Sequence, residues 1–232
     1  MTTATPFRIA LPSGRSVSAL LTSPQQPSAV FVFAHGAGAG MDHSFMAALS
    51  GALGERGIAT LRYQFPYMEQ GSKRPDDPAT AQAAVRAAVA QAHAQLPGVP
   101  LFAGGKSFGG RMTSQAQAAQ PLQSVRGLVF VGFPLHPAGK PSATRAAHLA
   151  NVKVPMLFLQ GTRDALADLD LIRATTAGLG DRAALHVVEG GDHSFHVLVR
   201  SGRNDAQVLA ELADTAAEWM KLRAGPPTPA KA

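Results

Sequence analysis

The stretch richest in chemistry is Gly105-Lys106-Ser107-Phe108-Gly109, which follows the apolar run Leu101-Phe102-Ala103. A serine hydroxyl attacks a carbonyl at neutral pH only when a neighbouring base takes its proton. Gly-x-Ser-x-Gly between a strand and a helix lifts the serine onto a sharp, strained turn, where side chains at positions 105 and 109 would collide with the backbone. By itself the motif is common in a chain with 23 glycines, so the flanking strand and helix carry its specificity. Gly105-Lys106-Ser107 is also how a phosphate-binding loop ends. The glycine that opens such a loop would fall at position 100, which is Pro, so the spacing argues against nucleotide binding.

A base and a group to orient it are expected just beyond later strands, because residues that meet in space in such a fold come from the C-terminal ends of successive strands. The run 155–160 leads into Gly161-Thr162-Arg163-Asp164, and the run 184–189 leads into Gly190-Gly191-Asp192-His193-Ser194-Phe195. This reading makes Ser107 the nucleophile, His193 the general base and Asp164 the group that orients it. Each has a plainer alternative. Asp164 could cap a helix starting near Ala165, and Asp192 or His196 could compete with His193. The oxyanion formed on attack needs two donors. One is the Phe108 N–H; the other comes from His35-Gly36-Ala37-Gly38-Ala39-Gly40, where Ala37 is favoured and Gly38 is the alternative. His35, at the start of that loop, suits a hydrogen bond that fixes its shape. His193 and His196 lack a His-Glu-x-x-His element or a third ligand, so no metal and no cofactor are expected.

Positioning these residues requires alternating strands and helices. An antiparallel hairpin is expected over 7–22 and a fully apolar strand over 29–34. Helix 44–56, strand 58–64, helix 78–96, strand 100–106, helix 108–120 and strand 127–133 follow. Strand 155–160, helix 166–178, strand 184–189 and helix 204–222 complete the pattern. It predicts a doubly wound α/β fold with a mainly parallel central sheet and helices on both faces. Residues 1–222 are expected to form one domain and 223–232, rich in proline, a flexible tail. Roughly twenty residues separate the strands at 127–133 and 155–160, too few for a helical cap, which predicts an open site suited to small esters or protruding groups.

The chain is 46% hydrophobic and 16% charged, with no cysteine, which excludes a disulfide framework, a thiolate metal site and a cysteine nucleophile. Its net charge of +6 comes from scattered Lys and Arg. No basic run points to nucleic acid, and no apolar run is long enough to point to a membrane. With no leader recognisable in Met1-Thr2-Thr3-Ala4-Thr5-Pro6, a cytoplasmic location is the expectation.

On these residues, the chain resembles the α/β-hydrolase superfamily over roughly 15–222. It looks most like small lidless members near the dienelactone hydrolases, but has serine where those enzymes use cysteine. Ala34-His35-Gly36-Ala37-Gly38, Phe65-Pro66-Tyr67-Met68 and Gly132-Phe133-Pro134-Leu135-His136-Pro137 resemble a group of predicted hydrolases. That group includes a testis-expressed protein and a subunit of a histone acetyltransferase complex. The resemblance implies hydrolysis of an ester-like acyl bond in a small molecule, with a non-catalytic interaction module as the alternative. Phe65, Tyr67, Met68 and the loop holding His136 follow central strands and are candidate substrate walls. Arg111 opposes the dipole of the helix after Ser107 and is expected to have an acidic partner or ligand.

Overall fold

The computed structural model describes residues 4–225. Eight strands form one sheet in the order β1-β2-β4-β3-β5-β6-β7-β8. β1 (Ala4–Ala10) and β2 (Ser16–Thr22) make the expected antiparallel hairpin, and β2 pairs antiparallel with β4 (Ile58–Tyr63). From β4 onward every pairing is parallel, through β3 (Ala29–Ala34), β5 (Leu101–Lys106), β6 (Val125–Val131), β7 (Met156–Gly161) and β8 (Ala183–Val188). Every residue of β3, β4 and β7 is buried, as expected where helices cover both faces of a parallel sheet.

The covering helices divide the core in two. α1 (Ser44–Glu55) and α6 (Asp205–Ala224) pack on one face through Met46, Leu49, Leu53, Val208, Leu212 and Met220. Arg56, just past α1, reaches Asp214 of α6 at 2.6 Å. On the other face lie α3 (Pro78–Gln95), α4 (Phe108–Ala119) and α5 (Leu169–Gly178), which bury Val85, Met112 and Ile172 and pack against β1, β5 and β8 respectively. Between β4 and α3 runs a short helix, α2 (Pro66–Glu69), that the sequence pattern does not announce. Its single turn is too brief for periodicity, and only Pro66 at its first position marks it.

Local chemistry sets the helix starts. The Asp77 carboxylate accepts from the Ala79 and Thr80 amides and Pro78 opens α3, while Asn204 and Gln207 form a reciprocal capping box on α6. α5 starts at Leu169 rather than at 166, because Asp168 is its cap; the aspartate at 164 is therefore not a helix cap. β6 runs from 125 to 131 rather than 127 to 133. Gly132 turns the chain with φ 69° and ends the strand. α6 extends through Ala224, two residues into the expected tail; the remainder of that tail, 226–232, lies outside the described residues. The segment between β6 and β7 holds only a short 3-10 helix, Thr144–Asn151, and no cap. No helix among the described residues is long and apolar enough to cross a membrane.

Candidate active site

Ser107 stands at the junction of β5 and α4 with φ 49° and ψ −114°, a conformation rare for a residue with a side chain. Crowding explains the glycines beside it. A Cβ on Gly105 would lie 2.5 Å from the Ala34 carbonyl oxygen, and one on Gly109 would lie 2.5 Å and 2.6 Å from the oxygens of Ala34 and His35. Gly104, one position earlier, has φ 156° and no room either, since its Cβ would come within 1.9 Å of the Val129 oxygen. β3, β5, β6 and α4 are thus drawn together at the turn. Although serine at a helix N-cap ordinarily accepts from the first-turn amides, Ser107 makes no such bond and its hydroxyl is left to other partners.

That partner is His193, whose Nε2 lies 2.9 Å from Ser107 Oγ. Its other ring nitrogen, Nδ1, lies 2.8 Å from Asp164 Oδ2. A carboxylate can only accept, so Nδ1 carries the hydrogen and Nε2 faces the hydroxyl as an acceptor. Asp164, whose side chain has no exposed surface, also accepts from the Leu166 amide at 2.8 Å and from Gln160 Nε2 at 2.5 Å. Gln160 Oε1 in turn accepts from the Phe133 amide at 2.9 Å, so this wholly buried side chain is satisfied at both ends. Sequence reasoning passed over Gln160. Its only signal is a polar residue closing the apolar strand Met156-Leu157-Phe158-Leu159.

The loop that carries His193 is held from both sides. Asp192 Oδ1 accepts from the Ser194 and His196 amides, which makes Asp192 a turn former rather than a rival acid. His196 lies at the margin of the cavity beside Ser107 and pairs with Asp205 at 2.5 Å near the start of α6, and this bond raises its pKa. Below the loop the Lys106 ammonium donates to the His193 carbonyl and lies 5.5 Å from the centre of the Phe195 ring. Gly132 makes space for it: a Cβ there would come within 3.0 Å of Lys106 Nζ. Burial lowers the Lys106 pKa to about 8, against the pull of Asp164 and Asp192.

His35 is fully buried and neutral. Its Nε2 accepts from the Phe65 amide at 3.1 Å, Nδ1 lies 2.7 Å from the Gly36 carbonyl, and burial lowers its pKa to about 4. It therefore shapes the loop after β3, as its position predicts. In that loop the Gly38 N–H is committed to Tyr67 Oη at 3.0 Å. The Ala37 N–H has no acceptor among the described residues, and Ala37 lines the cavity beside Ser107. The Phe108 N–H, at the first position of α4, has no intrahelical acceptor.

The expected substrate walls lie elsewhere. A cavity of about 650 Å³ opens beside Ser107, and none of Phe65, Tyr67, Met68, His136, Arg111 or Gly38 lines it. Phe65 and Tyr67 are buried in a stack of aromatic rings with Phe108, and Met68 packs near Gly40. His136 is buried, its Nε2 accepting from the Asp168 amide at 2.8 Å. Arg111 has no acidic partner among the described residues; its neighbours are Arg145 and His148, and its buried Nε has no acceptor. Instead the cavity runs between α1 and α6, walled by Phe45, Phe195, Leu209 and Leu212. No cluster of His, Cys, Asp or Glu among the described residues could hold a metal ion.

Solved structures of the same shape bear on this arrangement. An alpha-beta serine hydrolase homologue from Coxiella burnetii matches with a TM-score of 0.73 at 22% identity, over 94% of this chain and 97% of that one. A lidless a/b serine hydrolase from Xanthomonas campestris gives 0.73 at 21%, over 94% and 96% of the two chains. A dienelactone hydrolase from Anabaena variabilis gives 0.77 at 19%, over 96% and 98%. At these identities the likeness speaks to the fold. The model of the alpha/beta hydrolase domain family matches residues 27–221, from just before β3 nearly to the end of α6, and the chain belongs to that family.

Proposed function

We propose that this protein is a serine hydrolase that cleaves an ester-like acyl bond in a small molecule through an acyl-enzyme intermediate. The observation that carries this reading is the unbroken hydrogen-bond chain Ser107 Oγ, His193 Nε2, His193 Nδ1, Asp164 Oδ2, with distances of 2.9 and 2.8 Å at its two links. As Ser107 Oγ bonds to the acyl carbon, its proton passes to His193 Nε2. Asp164 stabilises the imidazolium without itself taking the proton. Charge developing on the carbonyl oxygen is met by the Phe108 and Ala37 amides. His193 then protonates the leaving oxygen, and the acyl–oxygen bond to the leaving group breaks. Water, deprotonated by the same nitrogen, attacks the acyl-enzyme and restores Ser107 as the acid departs.

Two features add support. The hydroxyl is turned away from helix capping, and the Ala37 N–H is unengaged beside it. The resemblance to the group with a testis-expressed member and an acetyltransferase-complex subunit fits the same site but names no substrate. A fluorophosphonate probe tests the reading: wild type is expected to be labelled stoichiometrically and Ser107→Ala not at all. Labelling that survives Ser107→Ala, or folded wild type that resists the probe, would sink the enzyme reading and leave a hydrolase-shaped binding module.

A further inference from the structure

The cavity beside Ser107 is larger than catalysis requires, and the nature of its walls limits what can fill it. Met46, Phe195 and Leu212 line it as buried residues, and Phe45 stacks on Phe195 with ring centres 6.1 Å apart and planes within 11°. Leu209 and Leu166 add further apolar wall. The charges at its margin are already engaged: Lys106 with the His193 carbonyl and the Phe195 face, and Asp205 with His196. A polar or ionic group entering would leave water for a wall with no unengaged charged partner, which is costly. An apolar group entering would shed water from both surfaces.

We infer that this cavity is the acyl pocket of the site and that it takes carboxylic esters of bulky apolar acids, medium-chain aliphatic or aromatic, in preference to acetate. The inference rests on the hydrolase reading above. It assigns the pocket to the acyl group because that group stays bonded to Ser107 Oγ between the two half-reactions. The released alcohol has no such need of an enclosed wall. Cavities of about 300–1,000 Å³ enclose most of a drug-sized ligand, so a space of about 650 Å³ accepts an octanoyl or arylpropenoyl group and is nearly empty around acetyl. Only contacts kept into the transition state raise kcat/KM, and walls along the acyl chain meet this condition because the chain stays in place as the bond forms.

The mouth of the cavity offers a clean test. Ala48 on α1 and Ala206 on α6 both line it, and both are exposed, so a larger side chain at either position need not disturb the core. p-Nitrophenyl acetate and octanoate are to be compared below the aggregation limit of the longer ester, on wild type, Ala48→Trp and Ala206→Trp. The expected result is a kcat/KM for octanoate about tenfold or more above that for acetate in wild type. Each tryptophan variant should lower the octanoate-to-acetate ratio of kcat/KM by about tenfold. Wild type that turns over acetate as well as octanoate would overturn the assignment. So would tryptophan variants in which both esters fall together. A third overturning result is an acetate series in which the alcohol's length sets the rate, since the leaving group would then occupy the cavity. If neither ester is cleaved and the probe does not label, the hydrolase reading has failed as well.

Discussion

At the scale of single residues, the His193 imidazole is fixed through its main chain as well as its ring. Asp164 sets which nitrogen carries the hydrogen, and Gln160 and the Leu166 amide hold Asp164 in place. Lys106 grips the His193 carbonyl, so its ammonium acts on the imidazole through the backbone, as a positioning residue. A hydrogen bond to a charged group contributes about 1.5–3 kcal/mol. Lys106→Met keeps the apolar stem and removes the charge; kcat should fall by roughly tenfold with KM changed by less than about twofold. The pH profile separates this role from packing. Burial holds the Lys106 pKa near 8, against the pull of Asp164 and Asp192, so wild type should lose part of kcat as pH rises past 8 and the ammonium becomes an amine. In Lys106→Met that part of the alkaline decline should vanish. A methionine variant that keeps the decline would show that Lys106 does not cause it.

At the scale of elements, the turn from β5 into α4 brings β3, β5 and α4 within van der Waals contact, and this is why it was legible in the sequence. Glycine on both sides of Ser107 is a steric demand that leaves a mark in the text. Gly109→Ala should cost about 3 kcal/mol, because its methyl would meet the backbone oxygens of Ala34 and His35, which cannot yield without opening the sheet. Gly51→Ala in α1, where nothing lies within 4 Å, should instead be neutral or stabilising by about 0.5–1 kcal/mol. Urea midpoints of the two variants measure the contrast, and equal shifts would refute it. Features without such a local demand were not legible. The walls of the cavity come from the relative placement of α1, α6 and the loop around Phe195, elements far apart in sequence whose apolar residues read only as core. The stretch Phe65 to Met68 follows a central strand, a position that predicts a substrate wall. The structure turns it inward to fill the space beneath the loop after β3, where Phe65 and Tyr67 also supply that loop's hydrogen bonds. Arg111 was expected to find an acid, but helix position reports the dipole and says nothing of which loop packs there.

At the scale of the whole molecule, the core on the α4 face of the sheet holds histidine as well as hydrocarbon, and this ties stability to pH. His35 beneath the loop after β3 and His148 beside α4 both have pKa values lowered from 6.5 to about 4. The cause at His35 is burial, and at His148 burial followed by the charge of Arg111. An unfolded chain protonates these rings near 6.5 and the folded one does not. Their contribution is therefore fully present above pH 6.5, shrinks as pH falls from 6.5 towards 4, and is exhausted once the folded rings also protonate. For His35, which is wholly buried, the shift corresponds to about 3 kcal/mol. His196 acts in the opposite sense because its pKa is raised by Asp205, but the pair is exposed and screened by solvent. Carboxylates such as Asp205 and Asp214, held low by His196 and Arg56, titrate below this window. Urea unfolding between pH 7 and 4.5 should show stability falling with a slope near two protons. His35→Gln can still accept from the Phe65 amide and donate to the Gly36 carbonyl, and should reduce that slope by about one proton. If the variant and the wild type show the same slope, His35 is already protonated in the folded loop, and the loop's shape cannot depend on the neutral ring.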